Sequence, residues 1–441
     1  MEPLTAEVGA RKGTPLWKNP AAWLREKELS RGFWIFFTAA FFFDFGFSIY
    51  VFLFNLYLLD LHFNERVMGL IGGAATLGSV VGTLPAGLLG RKFGIRPLMI
   101  VCFIASTVLC ALRVVFVWES AQLVLAFLSG LALCLWGVCF LPALARLTTE
   151  ENRASAFSLI FSVSIGTATL GGIVCGYLQQ WLKLAGLVLQ PVEVKRMILL
   201  ASCGIAATGL AAVLRLQMPA AVQEEEVPRE NRRRRWMPHP FLLRYLPAMA
   251  LWTAVIAAFT PFANVYLSKN LHVPMSHIGL IFSVAQVVQF CVGLLTPVLF
   301  RRLGMVPGIV VTQVATAVSL GCLAATHNPH AAVGLYLGFS ALQWMSAPGL
   351  YNLLMSKVPD DERSTAASGA LFCNAVVGSG ATAGAGILFV RFGYPHVLMG
   401  IAVMGFVVAM LFWLLVGAVD RGVPMQPKTG VGSLREIEVE G

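Results

Sequence analysis

Twelve long apolar runs, separated by short polar connectors, are the feature that most restricts the folds open to this chain. A helix needs about 20 mainly apolar residues to cross the ~30 Å hydrocarbon core of a bilayer. Charged residues make up only 12% of the chain, whereas soluble domains contain roughly 25%. No soluble fold buries so many helices of this kind, so we predict an all-α integral membrane protein with twelve transmembrane helices. The runs lie at residues 33–59, 67–89, 98–117, 121–145, 155–178, 197–216, 241–267, 277–299, 308–326, 331–356, 365–390 and 394–418.

Lysine and arginine residues are concentrated on one predicted side of the membrane. Twelve spans place both termini on the same side, and that side holds 25 of the 32 basic residues, whereas the opposite loops hold six. Positive residues collect on the cytoplasmic side, so we expect a multi-pass protein of the cell (inner) membrane with both termini in the cytoplasm. The basic cluster at 232–235 precedes the seventh span, where it meets anionic lipid headgroups, and it predicts no nucleic-acid partner.

The cysteines and histidines form no pattern typical of a metal site or a catalytic centre. All nine cysteines fall inside predicted spans without a CxxC pair, so they are interpreted as small packing residues. The seven histidines lie at span ends or in connectors, without an HExxH motif. Since the sequence also offers no Ser-His-Asp set and no phosphate-binding loop, we expect no cofactor, no metal and no enzymatic activity.

The chain repeats itself across a hydrophilic break at residues 217–240. Three sequence anchors recur with an offset of 210 residues, namely RKFGIRP (91–97) with RRLGMVP (301–307), GLIGG (69–73) with GLIFS (279–283), and EENRASA (150–156) with DDERSTA (360–366). A further pair, FNLYL (54–58) with ANVYL (263–267), is offset by 209, so we expect the following loop to differ by one residue.

Two similar six-helix halves, with a substrate site between them near the middle of the membrane, are a transporter architecture. The predicted organisation is a cytoplasmic N-terminal segment (1–32), an N-terminal six-helix bundle (33–216), a cytoplasmic linker (217–240), a C-terminal six-helix bundle (241–418) and a cytoplasmic tail (419–441).

This topology resembles the major facilitator superfamily, as does the loop GLLGRKFGIR between the second and third spans, with its weaker copy at Arg301 and Arg302. That family's loop follows the pattern Gly-x-x-x-Asp-Arg/Lys-x-Gly-Arg-Arg/Lys. The matching positions are Gly87, Lys92, Gly94 and Arg96. The position of the family's aspartate is Arg91, so the resemblance implies that the cytoplasmic lock is built differently here. It also implies a monomer.

Two acidic-basic connectors precede the fifth and eleventh spans and carry Arg153 and Arg363. These arginines are predicted to pair across the two halves when the cytoplasmic side closes. The alternative is a solvated loop in which the neighbouring acidic residues cap the helices that follow.

Asp44 lies inside the first span, in the stretch AAFFFDFGFSIYVF. It is 11 residues beyond Phe33, or about 16 Å along a helix, which is close to mid-bilayer. A central charge costs about 2.5–3.5 kcal/mol on insertion, so a residue of this kind usually faces a cavity or a partner. Helical spacing places Ser48, Val51 and Asn55 on the same side as Asp44, and this stripe is expected to face the central cavity.

Two uses of Asp44 are open. In the first, it binds and releases a proton or a substrate cation and so biases the alternating-access equilibrium. In the second, it is a structural partner of a donor on a neighbouring helix. Arg113, the other charged residue well inside a span, is about 24 Å along the third span. We therefore expect Arg113 to snorkel outward or to pair near the outer mouth instead of bonding to Asp44.

Other polar and aromatic residues are expected to line the same cavity. The seventh span, the repeat partner of the first, places Thr253, Thr260 and Asn264 on one face and has Ala254 in place of Asp44. Each candidate can equally form a hydrogen bond or a packing contact between helices. The remaining candidates are Trp136, Trp252, Gln286, Gln289, Gln343, Trp344, Asn352 and Asn374.

The favoured function is secondary transport of a small solute, coupled to protons through Asp44. Sparse central charge disfavours a polyanionic substrate, and export of amphipathic or cationic compounds is slightly ahead of uptake of a neutral, sugar-like or nucleoside-like metabolite by proton symport. In the family that this chain resembles, drug antiporters carry a Gly-Pro pair in the fifth span. This chain has Leu170 and Gly171 there, which weakens the antiporter signature without excluding export. A lipid flippase and a non-transporting sensor are the remote alternatives.

Overall fold

The computed structural model describes residues 29–184, 190–218, 240–326, 328–358 and 363–420. Within these ranges nearly every residue is helical, and each predicted apolar run lies inside a helix or extends past its end by no more than about two residues. The predicted N-terminal segment, most of the linker and the tail lie outside the described residues.

The first half consists of six helices. They are α1 (Arg31–Asp60), α2 (Glu65–Phe93), α3 (Ile95–Val115), α4 (Glu119–Leu147), α5 (Glu150–Leu184) and α6 (Pro191–Arg215).

The second half contains six more, of which the first and last need definition. Helix α7 has four consecutive parts. A regular α-helix (Pro240–Phe259) is followed by a 3₁₀ turn (Thr260–Phe262), a short α-helical turn (Ala263–Val265) and a π turn (Tyr266–Asn270). The helical segment Arg363–Asp420 is interrupted at Gly393, where φ is 75°, and we call its parts α11 (residues 363–392) and α12 (residues 394–420). Between them lie α8 (Met275–Leu303), α9 (Met305–Ala325) and α10 (Pro329–Lys357).

In the described part of the chain, nine helical stretches are long enough and apolar enough to cross a membrane. The last of them, Ala366–Gly417, includes parts of both α11 and α12. Helices α2 and α10 are not among these stretches of the described residues. In α10, Gln343 and Asn352 together with glycine and serine lower the mean hydropathy. The predicted all-α membrane fold class is confirmed.

Polar residues at span boundaries fix where the helices start. The Ser30 hydroxyl accepts the N–H of Phe33 at 3.1 Å before α1, and the Asn64 side chain accepts the N–H of Val67 at 3.0 Å before α2. Such N-caps satisfy backbone donors that lack a partner in the first helical turn.

The internal repeat is visible in the backbone as well as in the sequence. Gly94 and Gly304, which are 210 residues apart, end α2 and α8 with φ of 85° and 88°. A side chain is disfavoured at such angles, which glycine adopts freely. His62 and His272 are also 210 residues apart and both have positive φ, 63° and 51°, in the α1–α2 and α7–α8 turns. The two halves therefore turn at equivalent places with equivalent conformations.

The one-residue difference between the halves lies in a helix, which corrects the sequence expectation of a longer loop. Tyr57 and Tyr266 are offset by 209 residues, whereas His62 and His272 are offset by 210. The additional residue of the second half falls within the π turn Tyr266–Asn270. A π turn holds one more residue than an α turn, so the helix absorbs the insertion and the loop keeps its length.

Contacts between the two halves lie toward the end of the molecule that carries the α1–α2 and α7–α8 turns. We call this the outer end, following the predicted orientation. Helix α2 packs on α11 and helix α5 packs on α8. Glycines permit the close approach: a Cβ on Gly386 would overlap the Glu65 carbonyl oxygen, and a Cβ on Gly279 would overlap that of Gly172.

Side chains also bridge the halves at the outer end. The Asn55 amide of α1 donates to the Pro261 carbonyl of α7 at 2.7 Å, and the Asn264 amide of α7 donates to the Phe52 carbonyl of α1 at 2.8 Å. The structure thus describes a state in which the outer end is closed.

Candidate functional site

Asp44 lies near the middle of α1 and is partly buried. The hydroxyl of Ser164, on α5, donates to Asp44 Oδ2 at 3.1 Å. The side chain of Trp136, on α4, lies within hydrogen-bonding reach of the same carboxylate. Three helices of the first half therefore meet at one acidic group.

A narrow, open-sided cleft lies beside this carboxylate, and its empty space is about 190 Å³ when the open solvent at its mouth is included. Apart from Asp44 and Ser164, its lining is apolar and contains two aromatic rings. The other lining residues are Phe37, Ala40, Phe41, Ile160 and Val163. The carboxylate is thus the one charged group in the lining of this cleft.

Aromatic packing fixes Trp136 in place. Its ring centroid lies 4.9 Å from that of Phe43, 5.3 Å from Phe140, 5.6 Å from Phe103 and 6.0 Å from Phe36. Because rings from three helices surround the indole, Trp136 presents one orientation to Asp44.

The predicted polar stripe on α1 is divided between two environments. The Ser48 hydroxyl donates to the Phe45 carbonyl of its own helix at 2.8 Å and lies against α5 near Gly171. Asn55, two turns farther along, reaches α7 of the other half. The stripe therefore does not face one cavity: Asp44 and Ser48 contact α5 of the first half, whereas Asn55 contacts the second half.

The candidates of the second half are similarly divided. The Thr260 hydroxyl donates to the Gln343 side-chain oxygen at 3.2 Å, and the Gln289 amide donates to the Ser340 hydroxyl. Asn264 instead belongs to the closed outer end.

The remaining candidates do not meet in one place. The Thr253 hydroxyl donates to the Met249 carbonyl of its own helix. Gln286 is partly buried and Asn352 is exposed. The Asn374 side-chain oxygen on α11 is buried without a hydrogen-bond partner.

The two further tryptophans differ in burial. Trp252 is 1% exposed and donates to the Ser346 hydroxyl at 3.1 Å, so it is a core residue of the second half. Trp344 is 58% exposed.

In the loop motif, Gly94 and Arg96 have a visible structural role. Gly94 ends α2 with positive φ, whereas a Cβ at Gly87 would meet no atom within 4 Å. The Arg96 guanidinium donates to the Leu214 carbonyl at 2.6 Å, which satisfies a carbonyl at the end of α6 in the same half. Lys92 extends toward the Phe93 ring at 5.3 Å.

The other arginines of the predicted cytoplasmic gate give less information. Arg301 and Arg302 are exposed at the end of α8. The side chains of Arg91, Arg153 and Arg363 lie outside the described part of the structure, so the predicted pairing across the halves stays a prediction.

Arg113 does not snorkel outward. It is 7% exposed, its guanidinium lies 4.3 Å above the Phe54 ring, and it donates to the side chains of Gln122 and Ser129. These contacts bury it in the first half, close to the start of α4. They agree with the second expectation, pairing near the outer mouth with partners other than Asp44.

One charged cluster at the outer end was not singled out from the sequence. The Lys269 ammonium at the end of α7 lies 2.6 Å from Glu65 Oε1 at the start of α2, and the Tyr394 hydroxyl donates to the same oxygen at 3.4 Å. Glu65 follows the N-cap Asn64, where an acidic residue is ordinary, so the sequence did not indicate that it forms an ion pair with the other half.

The arrangement offers one central carboxylate within the first half, which accepts a hydrogen bond from Ser164 and borders a cleft that is otherwise lined by apolar side chains. Such a carboxylate can take up a proton or the cationic group of a solute. It offers neither a nucleophile with an activating base nor a set of metal ligands.

The sequence matches the family described as Major Facilitator Superfamily over residues 36–383. No curated protein sequence matches the chain significantly. Among solved structures, the nucleoside transporter NupG has a TM-score of 0.72 at 13% identity, covering 88% of this chain and 99% of its own.

Two further structures are similar over nearly their full length. The xylose transporter XylE from E. coli, in an inward open conformation, has a TM-score of 0.66 at 14% identity, covering 87% of this chain and 95% of its own. A bacterial homolog of the human lysosomal transporter Spinster has a TM-score of 0.69 at 13% identity, covering 88% and 97%. At these identities the likeness shows the shared fold.

Proposed function

The chain belongs to the major facilitator superfamily, and on that premise we propose that it moves a small solute across the membrane by alternating access, coupled to protons through Asp44. The family assignment and the fold support secondary transport as the general activity. The coupling group, the direction and the solute are the parts that we propose.

The surroundings of Asp44 carry the proposal. Carboxylates within the hydrocarbon core are rare and typically belong to proton or substrate pathways. This one accepts a hydrogen bond from Ser164, lies near the side chain of Trp136 and borders a cleft with otherwise apolar walls. Loading and unloading a proton there changes the charge within the first half, and this change would favour one packing of the two halves over the other.

Export of amphipathic or cationic compounds is the preferred direction and substrate class. The cleft beside Asp44 is walled by Phe37 and Phe41 together with aliphatic side chains. An apolar body fits such walls, and an ammonium group fits the carboxylate and the neighbouring aromatic rings. A proton and a cationic solute competing for one carboxylate would give antiport.

Uptake of a neutral metabolite by proton symport is the second candidate. The hydrogen-bonded pairs Thr260–Gln343 and Gln289–Ser340 favour it, because amides and hydroxyls of this kind recognise a hydroxylated solute without charge. In that case Asp44 would carry the proton and the second half would carry the solute.

The test uses purified protein in liposomes that contain a pH-sensitive dye. Cationic drugs, sugars, nucleosides and amino acids are added outside, for the wild type, Asp44→Asn and the control Glu119→Gln. Glu119 is an exposed carboxylate in the first turn of α4, so its variant removes one negative charge far from the cleft.

We expect a solute-dependent pH change that disappears in Asp44→Asn and persists in Glu119→Gln. Binding of a cationic solute should weaken in Asp44→Asn, whereas binding of a neutral solute should be retained. An alkaline shift inside the liposomes identifies antiport and an acidic shift identifies symport, whichever way the protein inserts. A pH change of wild-type size in Asp44→Asn would contradict the coupling role and leave Asp44 as a structural residue.

We also propose that the protein acts as a monomer in the inner membrane, with lipid as its surroundings and both termini in the cytoplasm. The uneven distribution of basic residues supports this orientation.

A further inference from the structure

We propose that Glu65, Lys269 and Tyr394 form a latch that holds the outer end of the transporter closed, and that the π turn of α7 places Lys269 in register for it. This inference does not depend on Asp44, on the solute or on protons. It requires only that the two halves separate at the outer end during the transport cycle.

The latch joins the two halves through a buried carboxylate. The Glu65 side chain is 3% exposed, whereas that of Lys269 is 52% exposed. Glu65 Oε1 receives the ammonium of Lys269 at 2.6 Å and the hydroxyl of Tyr394 at 3.4 Å. A carboxylate that is this well buried needs its charged partner, so loss of the lysine is more disruptive than loss of the glutamate charge.

Helix packing next to the latch links formation of the ion pair to closure of the outer end. The Glu65 carbonyl faces Gly386 on α11 without room for a Cβ. The Tyr394 ring lies 5.3 Å from that of Tyr266, the first residue of the π turn. The carboxylate, the lysine and the tyrosine therefore come together only when α2, α7 and α12 are packed at the outer end.

The π turn sets the register of Lys269. The two halves are offset by 209 residues up to Leu267 and by 210 residues from Leu271 onward, so the inserted residue lies between these two positions. Without the insertion the last turn of α7 would be α-helical, and Lys269 would lie about 100° away around the helix. π turns of this kind occur often at functional sites.

The equivalent position in the first half forms a different ion pair, so the internal repeat does not produce a second latch there. At the offset of 209 residues, Lys269 corresponds to Asp60. Asp60 pairs with Lys195 of α6 at 2.6 Å, within its own half. The inserted residue therefore coincides with the change from an ion pair inside one half to an ion pair between the halves.

The experiment measures access to a cysteine that closure buries. Ala263 is 0% exposed and lies in the α7 segment that contacts α1. Ala263→Cys is introduced into a variant whose nine cysteines are replaced, and the labelling rate with a water-soluble maleimide is measured on purified protein. No solute or proton gradient is needed, so this result is separate from that of the Asp44 experiment.

We expect Lys269→Met to raise the labelling rate roughly tenfold, Glu65→Gln to raise it less, and Tyr394→Phe to raise it least. The first variant leaves the buried carboxylate without its charged partner, the second removes the buried charge itself, and the third removes only a neutral hydrogen bond. The matched control is Arg66→Gln, which removes an exposed charge next to Glu65. A labelling rate in Lys269→Met equal to that of the control would overturn the latch.

Two further variants test the charge pair and the register separately. The double reversal Glu65→Lys with Lys269→Glu should restore much of the slow labelling that each single reversal loses. Deletion of Asn270 keeps both charges but removes the π turn, and it should raise labelling like Lys269→Met. Wild-type labelling in the deletion, in protein that remains monodisperse, would refute the role of the π turn.

Discussion

At the scale of single residues, Ser164 is the donor that ties Asp44 of α1 to α5. Hydrogen bonds to a charged group contribute about 1.5–3 kcal/mol, so Ser164→Ala should lower proton-coupled flux about tenfold while Asp44→Asn abolishes it. The measurement is the initial rate of the pH change in liposomes at matched protein content.

The control for this variant is Thr208→Ala. Thr208 is exposed on α6 and its hydroxyl donates only to the Ile205 carbonyl of the same helix in the described structure. Flux in Ser164→Ala equal to that of Thr208→Ala would mean that the contact with Asp44 has no part in coupling.

The position of Asp44 inside the first helix was predictable, because an acidic residue within an apolar run is visible in the sequence, whereas its predicted exposure to a central cavity stays a prediction. Ser164 was not, since it lies 120 residues away on a helix whose rotation the sequence leaves open. Glu65 and Lys269 were hidden for the same reason: a contact 204 residues apart depends on how two halves dock.

At the scale of helices, glycines decide how closely the halves approach. Gly386 of α11 meets the Glu65 carbonyl of α2, whereas Gly384, in the same helix, has no atom within 4 Å of a built Cβ. Gly386→Ala should force α2 and α11 apart and disfavour the closed outer end by about 1–3 kcal/mol. The measurement is faster maleimide labelling at Ala263→Cys together with slower transport.

Two comparison variants separate this gating effect from a loss of stability. Gly384→Ala should leave labelling and transport near wild type. Gly130→Ala places a Cβ against the Ala75 carbonyl within the first half, so it should lower the thermal stability without opening the outer end selectively. If Gly386→Ala behaves like Gly130→Ala, the α2–α11 contact serves folding and not gating.

The helices themselves followed from the apolar runs, which are long enough to leave little choice of structure. Their ends were less certain, because caps such as Ser30 and Asn64 lie a turn outside the apolar residues. The change of offset at Leu267 was also visible in the sequence, but a π turn and a longer loop give the same change of offset, and only the backbone distinguishes them.

At the scale of the whole molecule, the repeat predicted two equivalent halves, and the paired turns at Gly94 and Gly304 are consistent with it. The repeat did not reveal which end of the molecule is closed. That depends on small differences in docking energy between two packings of the same helices, and the contacts of the closed end are spread over helices of both halves.

The orientation of the molecule in the membrane is the last prediction, and it decides which compartment the latch faces. Since 25 of 32 basic residues lie with the termini, a green fluorescent protein fused after Gly441 should fluoresce and an alkaline phosphatase fused there should be inactive. Alkaline phosphatase inserted in the α9–α10 turn next to Asn328 should be active. The reverse pattern at both positions would place the Glu65–Lys269 pair on the cytoplasmic side, where the same ion pair would close the inner end and the closed state described here would face outward.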